Sequence, residues 1–265
     1  MALITLLTDF GLNDEFVGVM KGVILAINPQ ARIVDITHGI APQDLVSAAY
    51  RAQAAYRYFP QGTVHVVVVD PGVGSSRAIV AVQQEGHVFL APDNGVLSLV
   101  IDAHKIEGVV RVTNDQFFLK PVSCTFHGRD ILAPVAAHLS LGTGMERLGP
   151  GIAAENLKRL PLEQPSFNAD GTLTGTVVLI DGFGNLVTNI DSAAVGAITT
   201  PAQKREVVIR IGQHRITGLA QSYADVPPGT PLAIMGSKGY LEIAVNGERA
   251  ARCLEAHRGD AVIVG

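Results

Sequence analysis

Val64-His65-Val66-Val67-Val68-Val69-Asp70-Pro71-Gly72-Val73-Gly74-Ser75-Ser76-Arg77 is the stretch that decides the fold. Its β-branched run is too apolar for a surface strand and too short for a membrane helix. It reads as a buried central strand of the kind parallel sheets use. The run stops at a carboxylate, and Pro71, Gly72 and Gly74 impose an irregular turn before Arg77. A charged residue at the carboxyl end of a buried strand, ahead of a Gly-rich turn, is where open α/β sheets place ligands. The plainer reading of the same residues is a capped turn followed by a surface arginine.

Upstream, Ala2–Thr8 is a short apolar strand ending at Asp9, so Thr8-Asp9-Phe10-Gly11 repeats the order of strand, carboxylate and glycine. Asp14 and Glu15 stand at a helix start, where acidic groups suit the dipole. Phe16 to Ile27 has helical apolar spacing and ends at Asn28-Pro29. Ala31–Ile36 reads as a strand and Asp44–Tyr58 as an Ala-rich helix. Downstream, Ala78–Gln83 and His87–Ala91 form a hairpin, Val96–Ile101 a helix and Val109–Thr113 a strand. Thr125-Phe126-His127-Gly128-Arg129-Asp130 is a third polar cluster. Ile131–Leu141 then reads as a helix, with Pro134 acceptable only in its first turn. Strand–helix alternation through residue 141 predicts an α/β first domain, doubly wound, over residues 1–160.

The character changes after Gly149-Pro150-Gly151, and Leu160 to Pro165 reads as a linker. Beyond it lie short alternating strands: Leu173–Ile180, Glu206–Ile211, His214–Gly218, Pro231–Met235, Leu241–Val245 and Ala261–Val264. Gly and Pro turns separate them, which predicts a small β-barrel or sandwich over residues 168–265.

Composition narrows the function. The 265 residues suffice for two ordinary domains, and a hydrophobic share of 48% fills their cores. A net charge of −4 without a Lys/Arg cluster argues against nucleic acid as a partner. No apolar run reaches the ~18–20 residues of a membrane span. Cys124 and Cys253 lie far apart and outside any metal spacing, as in a cytoplasmic chain with free thiols. Met1–Phe10 lacks the basic start of a signal peptide.

In the first domain Asp9, Asp14, Asp70, Arg77, His127, Arg129 and Asp130 all fall at strand ends or turns, where they can converge on one sheet edge. Such carboxylates and histidines are also metal ligands. Yet the chain has no H-x-H, H-E-x-x-H or D-x-D pair, and a cationic Arg77 among them repels a metal and favours an anion or carboxylate. No metal and no cofactor is expected. Gly128 leaves space beside His127 for a small molecule, although a lone histidine is more often a satisfied core residue. In the second domain, Phe183 offers a flat ring for a base, and Asn185 matches an adenine edge with one donor and one acceptor. Ser237 and Lys238 suit a carboxylate. Taken singly, the runs Asp181–Asn189 and Gly236–Leu241 read as Gly-rich hairpin turns.

Taken together, these runs resemble the S-adenosylmethionine hydrolases, relatives of the fluorinating and chlorinating enzymes. The resemblance rests on Thr8-Asp9-Phe10-Gly11, Asp70-Pro71-Gly72-Val73-Gly74, Arg77, Pro92-Asp93-Asn94-Gly95, Phe126-His127-Gly128-Arg129-Asp130, Asp181 to Asn189 and Ser237 to Leu241, in that order. It implies a Rossmann-like first domain, a β-barrel second domain, and a homotrimer whose sites lie between one subunit's first domain and its neighbour's second. It implies hydrolysis of S-adenosyl-L-methionine to adenosine and L-methionine by in-line attack on C5′. Asp70, Arg77 and His127 match the water-activating triad, and Asp9 the residue that grips the ribose hydroxyls. Asp14, Asp181, Ser237 and Lys238 match the methionine end; Phe183, Asn185 and Asn246 match the adenine side. The halogenating relatives carry a tyrosine at the Asp70 position, a threonine near Val73, a serine near Gly128 and a tryptophan near Gln43, all absent here. The competing expectations are 5′-halogenation, a sensor that binds S-adenosylmethionine or adenosine without turnover, and a metal-dependent hydrolase.

Overall fold

The computed structural model describes residues 3–198 and 207–265. The expected strand starts at Ala2 and Glu206 lie outside them. The chain divides into two compact units, Met1–Pro161 and Leu162–Gly265.

The first unit contains β1 (Leu3–Thr8), α1 (Phe16–Ile27), β2 (Arg32–Thr37), α2 (Leu45–Tyr56), β3 (Val64–Val68), β4 (Ile79–Gln84), β5 (His87–Pro92), β6 (Ile106–Arg111) and α3 (Ala133–Ser140). Its sheet has the order β2-β1-β3-β5-β4-β6. Strands β2, β1, β3 and β5 are mutually parallel, and β4 runs antiparallel between β5 and β6.

Every residue of β3 is buried, because both faces of the sheet are covered. Val64, Val66 and Val68 pack with Met20 and Ile24 of α1 and with Ala133 and Ala136 of α3. Val67 and Val69 point the other way, toward Ala48, Ala52 and Tyr56 of α2. Each such valine contributes about 1.5–3 kcal/mol, and a charge at Val66 would break the layer. Asp44 caps α2 by accepting the Ser47 N–H at 3.0 Å, a contact that stabilises by about 1 kcal/mol. His65 is the polar exception within β3. Its Nδ1 lies 2.8 Å from Thr5 Oγ1 and its Nε2 lies 3.2 Å from His87 Nδ1. Burial holds its pKa down to about 3, so it is a neutral core residue.

The expected strand–helix alternation stops at β3. Strands β4 and β5 form the expected hairpin, across Glu85 and Gly86, both at positive φ, and no helix joins them. Ile79 at the start of β4 therefore pairs with Pro92 at the end of β5. This brings Arg77, two residues before β4, to the carboxyl edge of the parallel strands. Val96–Ile101 is a series of turns, not the expected helix. Val96, Leu97, Val100 and Ile101 are all buried in the α2-side core, which leaves no polar face for a surface helix. The strand expected at Val109–Thr113 pairs with β4 from Ile106 instead. The helix expected from Ile131 starts at Ala133, after a π-helical turn over Gly128–Leu132, and Pro134 does sit in its first turn.

The second unit contains β7 (Ser166–Phe167), β8 (Leu173–Ile180), β9 (Leu186–Asp191), α4 (Ser192–Ile198), β10 (Val208–Ile211), β11 (His214–Thr217), β12 (Pro231–Met235), β13 (Tyr240–Val245), α5 (Ala250–Cys253) and β14 (Ala261–Val264). Its sheet runs β11-β10-β14-β8-β9-β13-β12, with β7 beside β8, and every pairing is antiparallel. A bridge from Ala220 to Ile234 of β12 brings the segment after β11 to the opposite edge, so the sheet is nearly closed and barrel-like. In β8 buried and half-buried residues alternate without a break, the pattern of a strand with one face on the core. Strand β9 begins inside the polar run Asp181–Asn189, which is more than a turn. Thr188 and Asn189 are buried there. The Thr188 hydroxyl donates to the Leu241 carbonyl at 2.9 Å, and the Asn189 side chain accepts the Thr176 N–H at 2.8 Å.

Candidate active site

The carboxyl edge of the first unit's sheet holds a pocket of about 280 Å³ lined by residues of four loops, among them Asp9, Phe10, Phe16, Gln43, Asp70, Phe126 and His127. Asp70 follows β3, and Arg77 closes the turn that starts there. The Arg77 Nε–H donates to both Asp70 carboxylate oxygens, at 3.0 and 2.8 Å, and an Nη2–H donates to Oδ2 as well. Both side chains are buried, at 7% and 6% exposure. Arg77 Nη2 also stands 2.7 Å from His127 Nδ1. An arginine has no acceptor and keeps its protons, so Nδ1 must accept. The imidazole is therefore neutral, with its proton on Nε2. Burial and then the Arg77 charge push the His127 pKa below its ordinary value, against weaker pulls from Asp70, Asp130 and the Ser123 backbone.

Local sequence explains the convergence. Gly74 adopts φ +78°, and a Cβ there would lie 2.2 Å from the Cys124 carbonyl oxygen. Only glycine lets the Asp70–Arg77 turn lie against the loop that carries His127. That loop is braced by Asp130, which is fully buried. It accepts the Ser123 N–H at 2.8 Å and pairs with Arg129. Asp9 Oδ2 accepts the Gln43 N–H at 2.8 Å, and Gln43 holds a left-handed φ of 66°. Phe10, Phe16 and Phe126 pack on one another, with ring centroids 5.2–5.7 Å apart. These three rings and Gln43 belong to the pocket but were not singled out by residue type. Phe10 and Phe126 lie inside the quoted motifs, and Gln43 enters the resemblance only as the place near which the halogenating relatives carry a tryptophan. Asp14 is exposed, two residues before α1, and does not line the pocket.

The second unit has its own cavity, of about 750 Å³, bordered by Asp181, Phe183, Asn185, Ser237 and Lys238. Asp181 Oδ1 accepts the N–H groups of Phe183 and Asn185, both at 2.9 Å. The resulting turn leaves the Phe183 ring 81% exposed. Asn246 lies apart from this lining, its amide donating to the Val226 carbonyl at 2.7 Å. Tyr223 and Glu242 also border the cavity, and neither falls within the motifs quoted from the sequence. Glu242 could have been found, because it is a lone acid in the apolar strand β13. Burial raises its pKa first, and Asp181 raises it further. Among the described residues, no group of three or more histidines, cysteines or acids is placed to hold a metal ion.

A hydrogen-bonded acid–base trio at an aromatic pocket on an α/β sheet edge, with a mixed-charge cavity in a barrel-like unit, is the equipment of an enzyme for a small polar ligand. Residues 4–149 match the S-adenosylmethionine (SAM) hydroxide adenosyltransferase N-terminal domain and residues 175–263 match its C-terminal domain. The chain belongs to the SAM hydroxide adenosyltransferase family. It is 38% identical over 261 residues to a Salinispora tropica protein named (R)-S-adenosyl-L-methionine hydrolase, covering 97% of this chain and 95% of that one. A fluorinase of an Actinoplanes species is 28% identical over 274 residues, covering 92% and 91%. The crystal structure of an uncharacterized conserved protein from Thermotoga maritima superposes with a TM-score of 0.90 at 38% identity, covering 98% of this chain and 99% of that one.

Proposed function

We propose that this protein hydrolyses S-adenosyl-L-methionine to adenosine and L-methionine. The observation that carries the reading is the Asp70–Arg77–His127 set at the pocket. Water attacks C5′ in line with the sulfonium. The O–C5′ bond forms, the C5′–S bond breaks with its electron pair passing to sulfur, and one proton is released. Water is a poor nucleophile, with a pKa near 15.7, so its placement carries much of the rate. Asp70, fixed by Arg77, accepts the hydrogen of the water. The neutral His127 donates its Nε2–H to the water oxygen and leaves one lone pair for attack. Asp9 grips the ribose hydroxyls. Asp14, Asp181, Ser237 and Lys238 serve the methionine arm, and Phe183, Asn185 and Asn246 the adenine. The three phenylalanine rings lower the local polarity and strengthen each of these contacts.

In this reading residues 1–160 form a Rossmann-like domain and residues 168–265 a β-barrel. The protein is a cytoplasmic homotrimer, each site joining one subunit's first domain to its neighbour's second. Family membership and the separate cavities of the two units support that assembly.

The direct test is incubation with both sulfonium epimers of S-adenosyl-L-methionine, followed by chromatography. Adenosine and methionine appear in equal amounts, and the (R) epimer is consumed first, as the name of the Salinispora tropica relative suggests. Methylthioadenosine in place of adenosine would move the attack to another carbon and overturn the reading. Product formation that depends on added chloride or fluoride would favour halogenation.

The pH profile follows from His127. Its neutral ring is the working form, and its pKa lies below the ordinary 6.5. At saturating substrate, kcat stays level as the pH falls through 6.5 and drops only below it. A drop centred at or above pH 6.5 would show that the ring is not held below its ordinary value.

A further inference from the structure

Glu242 is the buried acid that this mechanism leaves unused. It sits in the middle of β13, paired with Val187 of β9 on one side and Ile234 of β12 on the other. Its backbone is thereby fixed from both edges. The residue is 4% exposed, and its side chain lines the cavity of the second unit. A Cβ at Gly236 would lie 2.1 Å from Glu242 Oε1, so the absent side chain at that position is what gives the carboxylate its place. Tyr223 borders the same cavity beside it, and its hydroxyl acts on the carboxylate. Among the described residues, no cation forms an ion pair with it. Lys238 acts on it only through longer-range attraction, while Arg252 pairs with Glu248 at 3.0 Å and Arg249 donates to the Gly182 carbonyl at 3.2 Å.

A buried carboxylate without an ion-pair partner among the described residues costs stability. Asp181, a second carboxylate bordering the same cavity, adds repulsion. The arrangement is unfavourable until a cation arrives. The methionine arm brings one with matching geometry, a primary ammonium with three N–H donors. The sulfonium has no N–H to offer and is the poorer match.

We infer that Glu242 is a substrate-recognition residue whose carboxylate, beside Tyr223, binds the α-ammonium group of the methionine arm. This rests on the hydrolase reading and names the group that selects an α-amino acid over its desamino counterpart.

The test is calorimetric titration of the full chain with L-methionine, with 4-(methylthio)butanoate, which lacks the ammonium, and with adenosine. Glu242→Gln weakens L-methionine binding about 10- to 100-fold, the range of a charge-assisted hydrogen bond. It leaves 4-(methylthio)butanoate and adenosine within about twofold, since neither meets the carboxylate through an ammonium. Tyr223→Phe gives a smaller loss in the same direction. The unliganded Glu242→Gln protein melts at or above the wild-type temperature, because a costly buried charge has gone. Equal losses for methionine and adenosine with a lowered melting temperature would make Glu242 a fold residue and overturn the inference. So would unchanged discrimination between methionine and its desamino analogue. If the wild type releases adenosine and methionine while the variants show either of those results, hydrolysis stands and only the role of Glu242 falls. A wild type that neither hydrolyses S-adenosyl-L-methionine nor binds methionine sinks both.

Discussion

Replacing Asp70 by asparagine lowers kcat by about 10²–10⁴-fold, the cost of losing a positioned acid–base group. The substitution keeps the shape of the side chain and an oxygen for Arg77, so the pocket is preserved. What disappears is the negative charge that accepts hydrogen from water and balances the buried guanidinium. KM changes by less than about threefold, since the group acts on the attacking water more than on the substrate. His127→Ala follows the same split between kcat and KM. Steady-state kinetics with the purified variants decides the matter. An Asp70→Asn enzyme with near wild-type kcat would remove Asp70 from the water-activating set, and a rise in KM alone would reassign it to binding.

The second large effect is a gain. Asp70→Ala protein is inactive through its first unit, and a chain damaged at both Asn185 and Ser237 is inactive through its second. In a cyclic trimer with shared sites, random exchange at equal amounts joins an intact first unit to an intact second unit at about one site in four. Activity returns to about a quarter of wild type from two inactive parents. Mass measurement of the mixed trimers establishes exchange, and activity is read on the same sample. Confirmed exchange with no recovery would mean that each site is built within one chain.

The buried valine run, the helix over Phe16–Ile27 and the strands Leu173–Ile180, Pro231–Met235 and Ala261–Val264 were legible in the sequence because periodicity and burial agree there. Asp70, Arg77 and His127 were legible as three of seven polar residues at strand ends and turns, the family resemblance set them apart as a trio, and the structure brings the three into contact. The β4–β5 hairpin was legible from its Gln84-Glu85-Gly86 turn, and its reversal carries Arg77 to Asp70. The misses share a physical cause, since local pattern does not report contacts made with distant parts of the chain. Val96–Ile101 misled because a largely buried turn is as apolar as a helix face. Strand β9 was hidden by Thr188 and Asn189, polar residues whose partners lie 53 and 13 positions away in the chain.

The contact between Arg77 and His127 also fixes how charge can move. A histidine conducts protons when it takes one up at one nitrogen and passes one on from the other. Nδ1 of His127 is capped by a guanidinium that gives up none of its hydrogens. The ring is thus a dead end in any chain of proton transfers. Under the proposed mechanism, the proton set free in each catalytic cycle therefore leaves from the Asp70 side.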